Sequence, residues 1–280
     1  LPDLPIENIL VEPEGRDTAP AVAWSTIEVA KRYGAEVVTG FFPADHWIAE
    51  QDIFESTLKA AVDAAVQNAA IVTLGIAPTH AATGYGYIEQ GDKIGLYDEY
   101  PAYRVDRFTE KPDRETAEEF VSSGRFSWNG GMFVFQAKVM LDQLHQHAPE
   151  IIQLLEEKGI EAYSTVPKLS IDYAVMEKTD RACVLPVRFR WDDLGDWSAI
   201  ERLMKSESPN VELGQHVGLD TRGAIVYTSD EDEVIVTIGL EDTVIVRDGK
   251  VTLIVKKDRT QEIKSVLKTI QARSEFQDLL

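Results

Sequence analysis

The chain has 280 residues, of which 44% are hydrophobic and 27% charged. This is an ordinary globular composition, and it excludes an intrinsically disordered, collagen-like or disulfide-stapled protein. Acidic residues outnumber basic residues 48 to 28, which gives a formal net charge of -20 and a surface that repels nucleic acids and anionic membranes.

Cysteine usage and hydropathy predict a soluble, cytoplasmic protein. Cys183 is the single cysteine, so it cannot form an intramolecular disulfide, and this fits a reducing compartment. The sequence has no run of roughly 18 uncharged apolar residues, and its N-terminus lacks a basic segment followed by an apolar one. We therefore expect neither a membrane span nor an export signal.

Strands alternate with helices as far as about residue 205, which is typical of βαβ units around a mostly parallel sheet. The predicted elements are, in chain order, strand 6–11, helix 19–33 capped by Thr18, strand 36–42, a helix from Asp52, strand 71–76, hairpin pieces over 87–97, strand 103–109, helix 114–122, strand 131–135, helices 137–147, 149–157 and 170–178, strand 182–189 and helix 197–205.

The pattern changes after residue 205 to short Val- and Ile-rich segments separated by turn residues. Strands are predicted at 223–228, 233–238, 243–247 and 251–256, with a hairpin turn at Asp248-Gly249 and a closing amphipathic helix. We therefore predict one domain over residues 1–205 and a small β-rich domain over residues 206–280.

Carboxylates follow two of the predicted strands, at the sheet edge where open α/β folds bind ligands. Asp45 follows strand 36–42, and Asp192 and Asp193 follow strand 182–189, with Asp196 as the predicted cap of the next helix. Such carboxylates can hold Mg²⁺ while the ion keeps waters and binds phosphate oxygens. The alternative is that Asp45 only caps a turn. His46 is interpreted as a hydrogen-bonded structural histidine.

Three further segments carry groups suited to anions or sugars. Arg16 and Thr18 lead into a helix N-terminus, where free N–H groups bind phosphate. The loop 83–87 contains Gly84, which allows close backbone approach, although it could be a plain turn. Glu110 and Lys111 place a hydroxyl-accepting carboxylate beside a phosphate-binding ammonium, or else form an exposed ion pair.

Two polar side chains complete the set of candidates. Asn129 lies among glycines in Trp-Asn-Gly-Gly and offers an amide to sugar hydroxyls. Asp172 lies in the first turn of the predicted helix 170–178, where a plain capping role is the alternative. No single one of these segments determines the function.

Their order along the chain resembles that of the mannose-1-phosphate guanylyltransferases, also called GDP-mannose pyrophosphorylases, a branch of the sugar-phosphate nucleotidyltransferases. The resemblance covers nearly the whole chain, and seven motifs in one order make it specific. They are EPEGRDTAP at 12–20, PADH at 43–46, TGYGYI at 83–88, FTEKP at 108–112, WNGGMF at 128–133, SIDYAVMEK at 170–178 and WDDLGDW at 191–197.

The resemblance implies a Rossmann-like mixed, mostly parallel sheet, followed by a β-rich domain like a left-handed β-helix. It implies transfer of a guanylyl group from GTP to mannose 1-phosphate, giving GDP-mannose and pyrophosphate, with Mg²⁺ as cofactor. By motif position it assigns these roles: Asp45 and Asp193 to the metal; Glu110, Asn129 and the Gly84 backbone to the sugar, with Asp172 as a further sugar contact; Lys111 to the sugar phosphate; Arg16 and Thr18 to the nucleotide. Tyr85 is a further substrate-binding candidate. GTP and mannose 1-phosphate are the expected partners, and a homodimer is left open.

The sequence departs from the family pattern in two places. Asp17 replaces the family's asparagine, and Gly130 replaces its usual serine. The family's N-terminal strand and its glycine-rich phosphate loop with an arginine have no counterpart within residues 1–280. We therefore expect residues 1–280 alone to aggregate and to show no guanylyl transfer. Addition of a segment of this kind should restore both solubility and guanylyl transfer. The alternatives are transfer to another sugar 1-phosphate, or a non-catalytic relative that acts as a binding or assembly module.

Overall fold

The structure is a computed structural model that describes residues 4–195, 197–204 and 208–279. The chain divides into two compact units, the first comprising residues 1–44 and 48–191 and the second residues 45–47 and 192–280. The predicted domain boundary between residues 205 and 206 and the predicted cap Asp196 lie outside the described residues, so both stay predictions.

The first unit contains most of the predicted helices and strands. Its helices are α1 Thr18–Tyr33, α2 Gln51–Asn68, α3 Arg114–Ser123, α4 Ala137–His147 and α5 Pro149–Lys158. Its main strands are β1 Val38–Phe41, β3 Ile71–Ile76, β4 Gly86–Tyr97, β5 Tyr100–Thr109, β6 Phe126–Gln136 and β7 Ala182–Pro186. Two short strands, β2 Trp47–Ile48 and β8 Trp191–Asp192, pair with each other.

The main strands form a mixed six-stranded sheet in the order β1-β6-β3-β7-β5-β4, so the predicted mixed sheet is confirmed. The expectation that it is mostly parallel is wrong for the described residues. Only β3 and β7 pair in parallel, whereas β6 runs antiparallel to β1, β3 and β4. The cause is local for β4 and β5, since the two-residue turn Asp98–Glu99, with both φ angles positive, can join only antiparallel strands.

Helices cover both faces of this sheet. Along β6, Phe133 and Phe135 pack into a core with α1, α4 and α5, whereas Met132 and Val134 pack into a second core with α2. Successive side chains of a strand point to opposite faces, so one strand contributes to both cores. The layers are therefore helix, sheet and helix, and this arrangement leaves the strand ends and their loops for ligand binding.

Two predicted elements of the first unit are wrong. The segment predicted as strand 6–11 contains instead a short 3-10 turn, Ile6–Asn8. The Asn8 N–H donates to the Pro5 carbonyl and the Ile9 N–H to the Ile6 carbonyl, and Ile6 is 82% exposed. The predicted helix 170–178 is a single π-helical turn, Asp172–Met176. The Glu177 N–H donates to the Asp172 carbonyl five residues back, and Ala174, Val175 and Met176 of this turn are buried.

The second unit contains parallel ladders typical of a β-helix. Its elements are α6 Trp197–Met204, β9 Val211–Leu213, β10 Gln215–Leu219, β11 Ile225–Thr228, β12 Val234–Ile238, β13 Thr243–Asp248, β14 Val251–Lys256 and α7 Ile263–Gln271. Strand β11 pairs in parallel with β9 and β13, and β10 pairs in parallel with β12. Val211, Ile225 and Val244 stack between them as the core. The predicted C-terminal β-rich region is confirmed.

A hairpin lies where the sequence predicts one, but its two-residue loop is shifted by one residue from the predicted Asp248-Gly249. Strands β13 and β14 are antiparallel, and Asp248 pairs with Val251, so that Gly249 and Lys250 form the two-residue loop. Gly249 has a φ of +51°, which glycine adopts without strain.

Within the described part of the chain, no helix is long and apolar enough to cross a membrane.

Candidate active site

A polar cluster in the first unit brings together three of the predicted site residues. Asn129 on β6 donates a hydrogen bond from Nδ2 to Oδ1 of Asp172 at 2.9 Å. Its Oδ1 accepts the Gly131 N–H at 3.0 Å, which fixes the orientation of the amide. Gly131 has a φ of +65°, and this allows the tight turn back onto Asn129. Glu110 acts electrostatically on Asp172 from the end of β5.

Glu110 and Lys111 form an ion pair of 2.8 Å between Oε1 and Nζ. The Glu110 side chain is 13% exposed, whereas that of Lys111 is 64% exposed, so the ammonium stays accessible to an anion. The hydrogen bond with Glu110 raises the pKa of Lys111 above its usual range. Lys111 has a φ of +47°, a left-handed conformation that turns the chain after β5.

Gly86, the first residue of β4, makes room for the Glu110 carboxylate. A Cβ atom at this position would lie 2.5 Å from Oε2 of Glu110, closer than real contacts allow. Gly86 also pairs with Asn129 in the antiparallel ladder between β4 and β6. The absence of a side chain at Gly86 therefore leaves room for the Glu110 carboxylate beside the strand that carries Asn129.

Asp172 is the most perturbed carboxyl of this cluster. Burial, and next the charge of Glu110, raise its pKa to about 6. Burial and the same Glu110 charge also raise the pKa of Glu177. Carboxyl groups with raised pKa values cluster at functional sites, because ligand binding requires charges that folding alone would not place together. Hydroxyl groups of a sugar are suitable ligands for such acceptors.

The loop before β4 contains the next two predicted residues. The Tyr85 ring packs edge-on against Trp128, with ring centroids 5.0 Å apart, and against Trp191 at 5.6 Å. At Gly84 a Cβ atom would meet nothing within 4 Å, so its backbone is open to a ligand. Tyr85 therefore anchors the loop by packing, and the predicted substrate contacts of both residues stay predictions.

Arg16 and Thr18 are bonded to the segment that precedes Asp172. The Arg16 guanidinium pairs with Glu14 at 2.7 Å and donates to the Ser164 and Val166 carbonyls. The Thr18 hydroxyl accepts the Ile171 N–H at 2.8 Å. Helix α1 begins at Thr18 and is capped by Asp17, not by Thr18 as predicted, because the Thr18 hydroxyl is used in this contact. Contacts of Arg16 and Thr18 with a nucleotide stay predictions.

The second unit brings the predicted metal-binding carboxylates to one histidine. Asp45, Asp193 and Asp192 all act electrostatically on His46, and each favours its charged form. Burial is the larger effect, so the pKa of His46 is lowered and the neutral ring is favoured. Asp192 is held by Arg202 at 2.8 Å and accepts the Leu194 N–H at 3.0 Å. The Asp192 carboxylate is therefore engaged in structural contacts.

The donor set fits a hard divalent cation. A Cβ atom at Gly195 would lie 2.7 Å from Oδ2 of Asp193, so the glycine leaves room for this carboxylate to fold back over the turn. The described residues contain no cluster of three or more histidine, cysteine or acidic ligands that could hold a metal by themselves. One or two carboxylates, with waters and substrate phosphates, are the usual Mg²⁺ environment, whereas a structural zinc site needs four protein ligands.

Sequence reasoning missed Gly86 and Glu177. Gly86 belongs to the glycine-containing segment 83–87 that was predicted from the sequence. The reason for a glycine there is the approach of Glu110, which lies 24 residues further along the chain. Glu177 is contained in the 170–178 motif, and the π-helical turn explains why it comes close to Glu110. A regular helix with 3.6 residues per turn does not predict that Glu177 comes close to Glu110.

Comparison with known proteins identifies the family. The nucleotidyl transferase family profile matches residues 5–208. The chain belongs to the nucleotidyl transferase family. A second profile, that of the mannose-phosphate isomerase/GMP-like β-helix domain, matches residues 214–270, in agreement with the parallel ladders of the second unit. Enzymes of the nucleotidyl transferase family generally use a divalent metal, which agrees with the donor set.

Two curated relatives of this nucleotidyl transferase match nearly the whole of this chain. The chain is 37% identical to mannose-1-phosphate guanylyltransferase 2 of Escherichia coli O157:H7, over 96% of this chain and 59% of the relative. It is 38% identical to the alginate biosynthesis protein AlgA of Pseudomonas aeruginosa, over 99% of this chain and 60% of the relative. The chain thus spans about three-fifths of the length of these curated relatives.

A solved structure supports the same fold. The crystal structure described as mannose-1-phosphate geranyltransferase from Thermus thermophilus has a TM-score of 0.83 and 38% identity, and the match covers 94% of this chain and 77% of that one. The agreement extends over nearly the whole chain, so it covers both the mixed sheet and the C-terminal β-rich region.

Proposed function

We propose that this nucleotidyl transferase transfers a guanylyl group from GTP to mannose 1-phosphate, forming GDP-mannose and pyrophosphate. The observation that carries the proposal is the cluster of Glu110, Lys111, Asn129 and Asp172, which combines hydroxyl acceptors, an amide and an accessible cation. The names of the relatives supply the sugar and the reaction.

The phosphate oxygen of mannose 1-phosphate attacks the α-phosphorus of GTP in line, and pyrophosphate leaves. Such reactions depend mainly on positioning and on neutralisation of charge. Glu110 accepts hydrogen bonds from mannose hydroxyls, and Asn129 and Asp172 contact the same sugar. Lys111 binds the sugar phosphate, since its ammonium is exposed and remains charged.

Asp45 and Asp193 are the proposed ligands of Mg²⁺. An ion held there would supply neutralisation of phosphate charge, which is the usual contribution of Mg²⁺ in phosphoryl transfer. Burial lowers the pKa of the neighbouring His46, which favours its neutral ring. Arg16, Thr18, the Gly84 backbone and Tyr85 are proposed to border the substrates, the first two on the nucleotide side.

Two broader assignments belong to the same proposal. Residues 1–205 form the nucleotidyltransferase domain, and residues 206–280 form the β-rich domain. The proposed location is the cytoplasm, because the one thiol, Cys183, is free and buried in β7, and a reducing compartment keeps thiols in that form.

Binding of mannose 1-phosphate to the chain, measured by calorimetry, tests the sugar site. Glu110→Gln should weaken binding about 10- to 100-fold, because sugar hydroxyls left unpaired cost on the order of 1–3 kcal/mol. Glu118→Gln removes an exposed carboxylate that pairs with Arg114 on α3, and it should leave binding unchanged. Tighter binding of glucose 1-phosphate than of mannose 1-phosphate would contradict the proposed substrate.

Turnover tests the reaction and the metal site. Pyrophosphate release from GTP and mannose 1-phosphate is measured for residues 1–280 and for the same chain preceded by the family's glycine-rich segment. In the active form, Asp45→Asn and Asp193→Asn should each lower turnover by orders of magnitude without changing the thermal melting curve. Normal turnover in either variant would disprove the metal assignment.

A further inference from the structure

A cavity of about 290 Å³ lies in the first unit, at the N-terminal ends of β3 and β7. Residues from the end of α2 and from strands β4, β5 and β7 line it. Ala182 and Cys183 of β7 are its buried residues on that strand, whereas two arginines, Arg104 and Arg181, are exposed at it. We call it the arginine cavity.

Arg104 presents an unpaired guanidinium to this cavity. It lies on β5 directly opposite Cys183 of β7, so the two side chains are on the same face of the sheet. In the part of the chain that the structure describes, its guanidinium forms no ion pair and no hydrogen bond. Other arginines of the first unit pair with carboxylates, for example Arg107 with Glu89 at 3.2 Å. Arg104 therefore keeps its N–H donors for a ligand.

Arg181 supplies a second guanidinium. Its Nε lies 3.9 Å from Oδ1 of Asp180, which is too far for a hydrogen bond, and the Asp180 side chain is 87% exposed. Each guanidinium presents a planar fork of N–H donors that matches the oxygens of a phosphate group. In a chain with a net charge of -20, an anion needs local cations of this kind. The pair of arginines is therefore suited to a phosphate group.

Asn68, the last residue of α2, adds a hydrogen-bond acceptor to the same cavity. Its Nδ2 donates to the Ala64 carbonyl at 2.8 Å and to the Tyr97 hydroxyl at 2.6 Å, so both amide hydrogens are used. Its Oδ1 accepts no hydrogen bond from the described residues. An amide oxygen accepts from a hydroxyl group but not from an ionised phosphate. The polar groups of the cavity therefore fit a ligand that carries both.

The arginine cavity and the candidate active site lie at opposite ends of β3. Ile71, the first residue of β3, pairs with Ala182 at the cavity, whereas Gly75 pairs with Asn129 of the candidate active site. Residues of a strand are about 3.3 Å apart, so these two positions are separated by about 13 Å along β3. A phosphate group in the arginine cavity is therefore distinct from one bound at the candidate active site.

We propose that the arginine cavity binds a small phosphate monoester that also carries hydroxyl groups, of the size of a phosphorylated three-carbon alcohol. Its phosphate accepts hydrogen bonds from Arg104 and Arg181, and one of its hydroxyls donates to Oδ1 of Asn68. Pockets for drug-sized ligands span about 300–1,000 Å³, so a cavity of about 290 Å³ favours a small metabolite over a nucleotide. This site does not depend on the proposed guanylyl transfer.

Calorimetry with glycerol 3-phosphate tests the site, in the full chain carrying Lys111→Gln. This background removes the ammonium that is proposed to bind phosphate at the candidate active site. Arg104→Gln and Arg181→Gln should each weaken binding about tenfold or more, because each removes charge-assisted hydrogen bonds. Arg114→Gln is the matched control, because this exposed arginine of α3 pairs with Glu118, and it should leave binding unchanged. Circular dichroism verifies that each variant is folded.

A variant that strengthens binding separates a ligand contact from a structural role. Asp180 also lines the cavity and is the one carboxylate near Arg181 that competes with a bound anion. Asp180→Asn should therefore tighten the binding of glycerol 3-phosphate at least twofold. Unchanged binding in both arginine variants would overturn the proposal, and so would absence of binding to the chain without these substitutions.

Two smaller ligands identify the chemistry of the occupant. Methyl phosphate carries the same phosphate group without hydroxyls, so glycerol 3-phosphate should bind at least fivefold more tightly. Equal affinity for the two esters would overturn the assigned role of Asn68. Tighter binding of inorganic phosphate than of either ester would overturn the assignment to a monoester and give the cavity to the free ion.

Discussion

The charge state of Asp172 depends on the folded structure. Burial and the neighbouring Glu110 raise its pKa to about 6, so folding favours the protonated form. The resulting stabilisation is fully present below the unfolded pKa near 4 and is lost as the pH rises through 6. Asp172→Asn removes this dependence while Asn129 still finds an oxygen acceptor.

As the pH rises from 4.5 to 7.5, we therefore expect the wild type to lose free energy of unfolding relative to Asp172→Asn. The size is on the order of 1–3 kcal/mol, since one pKa unit corresponds to about 1.4 kcal/mol. Urea unfolding at several pH values measures it. Asp180→Asn is the control, because this carboxylate is exposed. Parallel pH profiles of wild type and Asp172→Asn would show that Asp172 has an ordinary pKa.

At the scale of elements, the start of α1 positions the segment that contains Asp172. The Thr18 hydroxyl accepts the N–H of Ile171, and the Leu169 carbonyl accepts the N–H of Ala19. Thr18→Val should leave the Ile171 N–H unpaired, at a cost of about 1–3 kcal/mol in stability. It should also weaken mannose 1-phosphate binding, because Asp172 is the next residue.

Two substitutions separate this positioning effect from loss of packing. Thr18→Ser keeps the acceptor and should restore sugar binding. Thr26→Val lies on the same helix, where the buried hydroxyl has no hydrogen-bond partner, so it should be neutral or stabilising. If Thr18→Val changed GTP binding but not sugar binding, the direct nucleotide contact predicted from the sequence would be correct instead.

Gly86, at the start of β4, leaves room for the Glu110 carboxylate. A Cβ atom there would lie 2.5 Å from Oε2 of Glu110, so Gly86→Ala would push this carboxylate away. We expect Gly86→Ala to raise the KM for mannose 1-phosphate at least fivefold and to leave the KM for GTP nearly unchanged. Steady-state kinetics of an active form measures both constants. An equal increase in the two constants would mean that the substitution disturbs the backbone around Gly86, and not Glu110.

The sequence predicted the elements whose patterns are local. Helix α1 and strand β3 were placed to within one residue, because a 3.6-residue apolar period or an unbroken buried run identifies them. The segment 6–11 looked equally apolar but forms no strand, since local pattern cannot show whether a partner strand is available. The antiparallel pairing of β6 with β3 and β1 depends on contacts distant in sequence and could not be read from any window.

The candidate site shows the same division. Motif order predicted that Glu110, Asn129 and Asp172 would belong together, and the structure places them in one electrostatic cluster. Motif order could not show that the Thr18 hydroxyl accepts the Ile171 N–H. A hydroxyl residue before a helix predicts a cap, whatever other residues lie near it in the fold. The roles of these residues toward substrate stay predictions.

At the scale of the whole molecule, Cys183 reports on the integrity of the first unit. It lies on β7 in the middle of the sheet, and burial raises the pKa of its thiol to about 12. Alkylation requires the thiolate, so native protein should react with iodoacetamide at least about a hundredfold more slowly than protein in urea. Mass spectrometry of timed samples measures the rate. Prompt labelling of the native chain would show that β7 is accessible.

The packing of Tyr85 between two indoles has an optical consequence. Trp128 is nearly fully buried, and the phenol ring touches both it and Trp191. Energy absorbed by the phenol passes efficiently to indoles at such separations, so displacement of the loop would alter the emission excited at the tyrosine band. Addition of sugar phosphate should then change this emission, and the change should be lost in Tyr85→Leu. The emission would report occupancy of the sugar site in real time, without an attached dye.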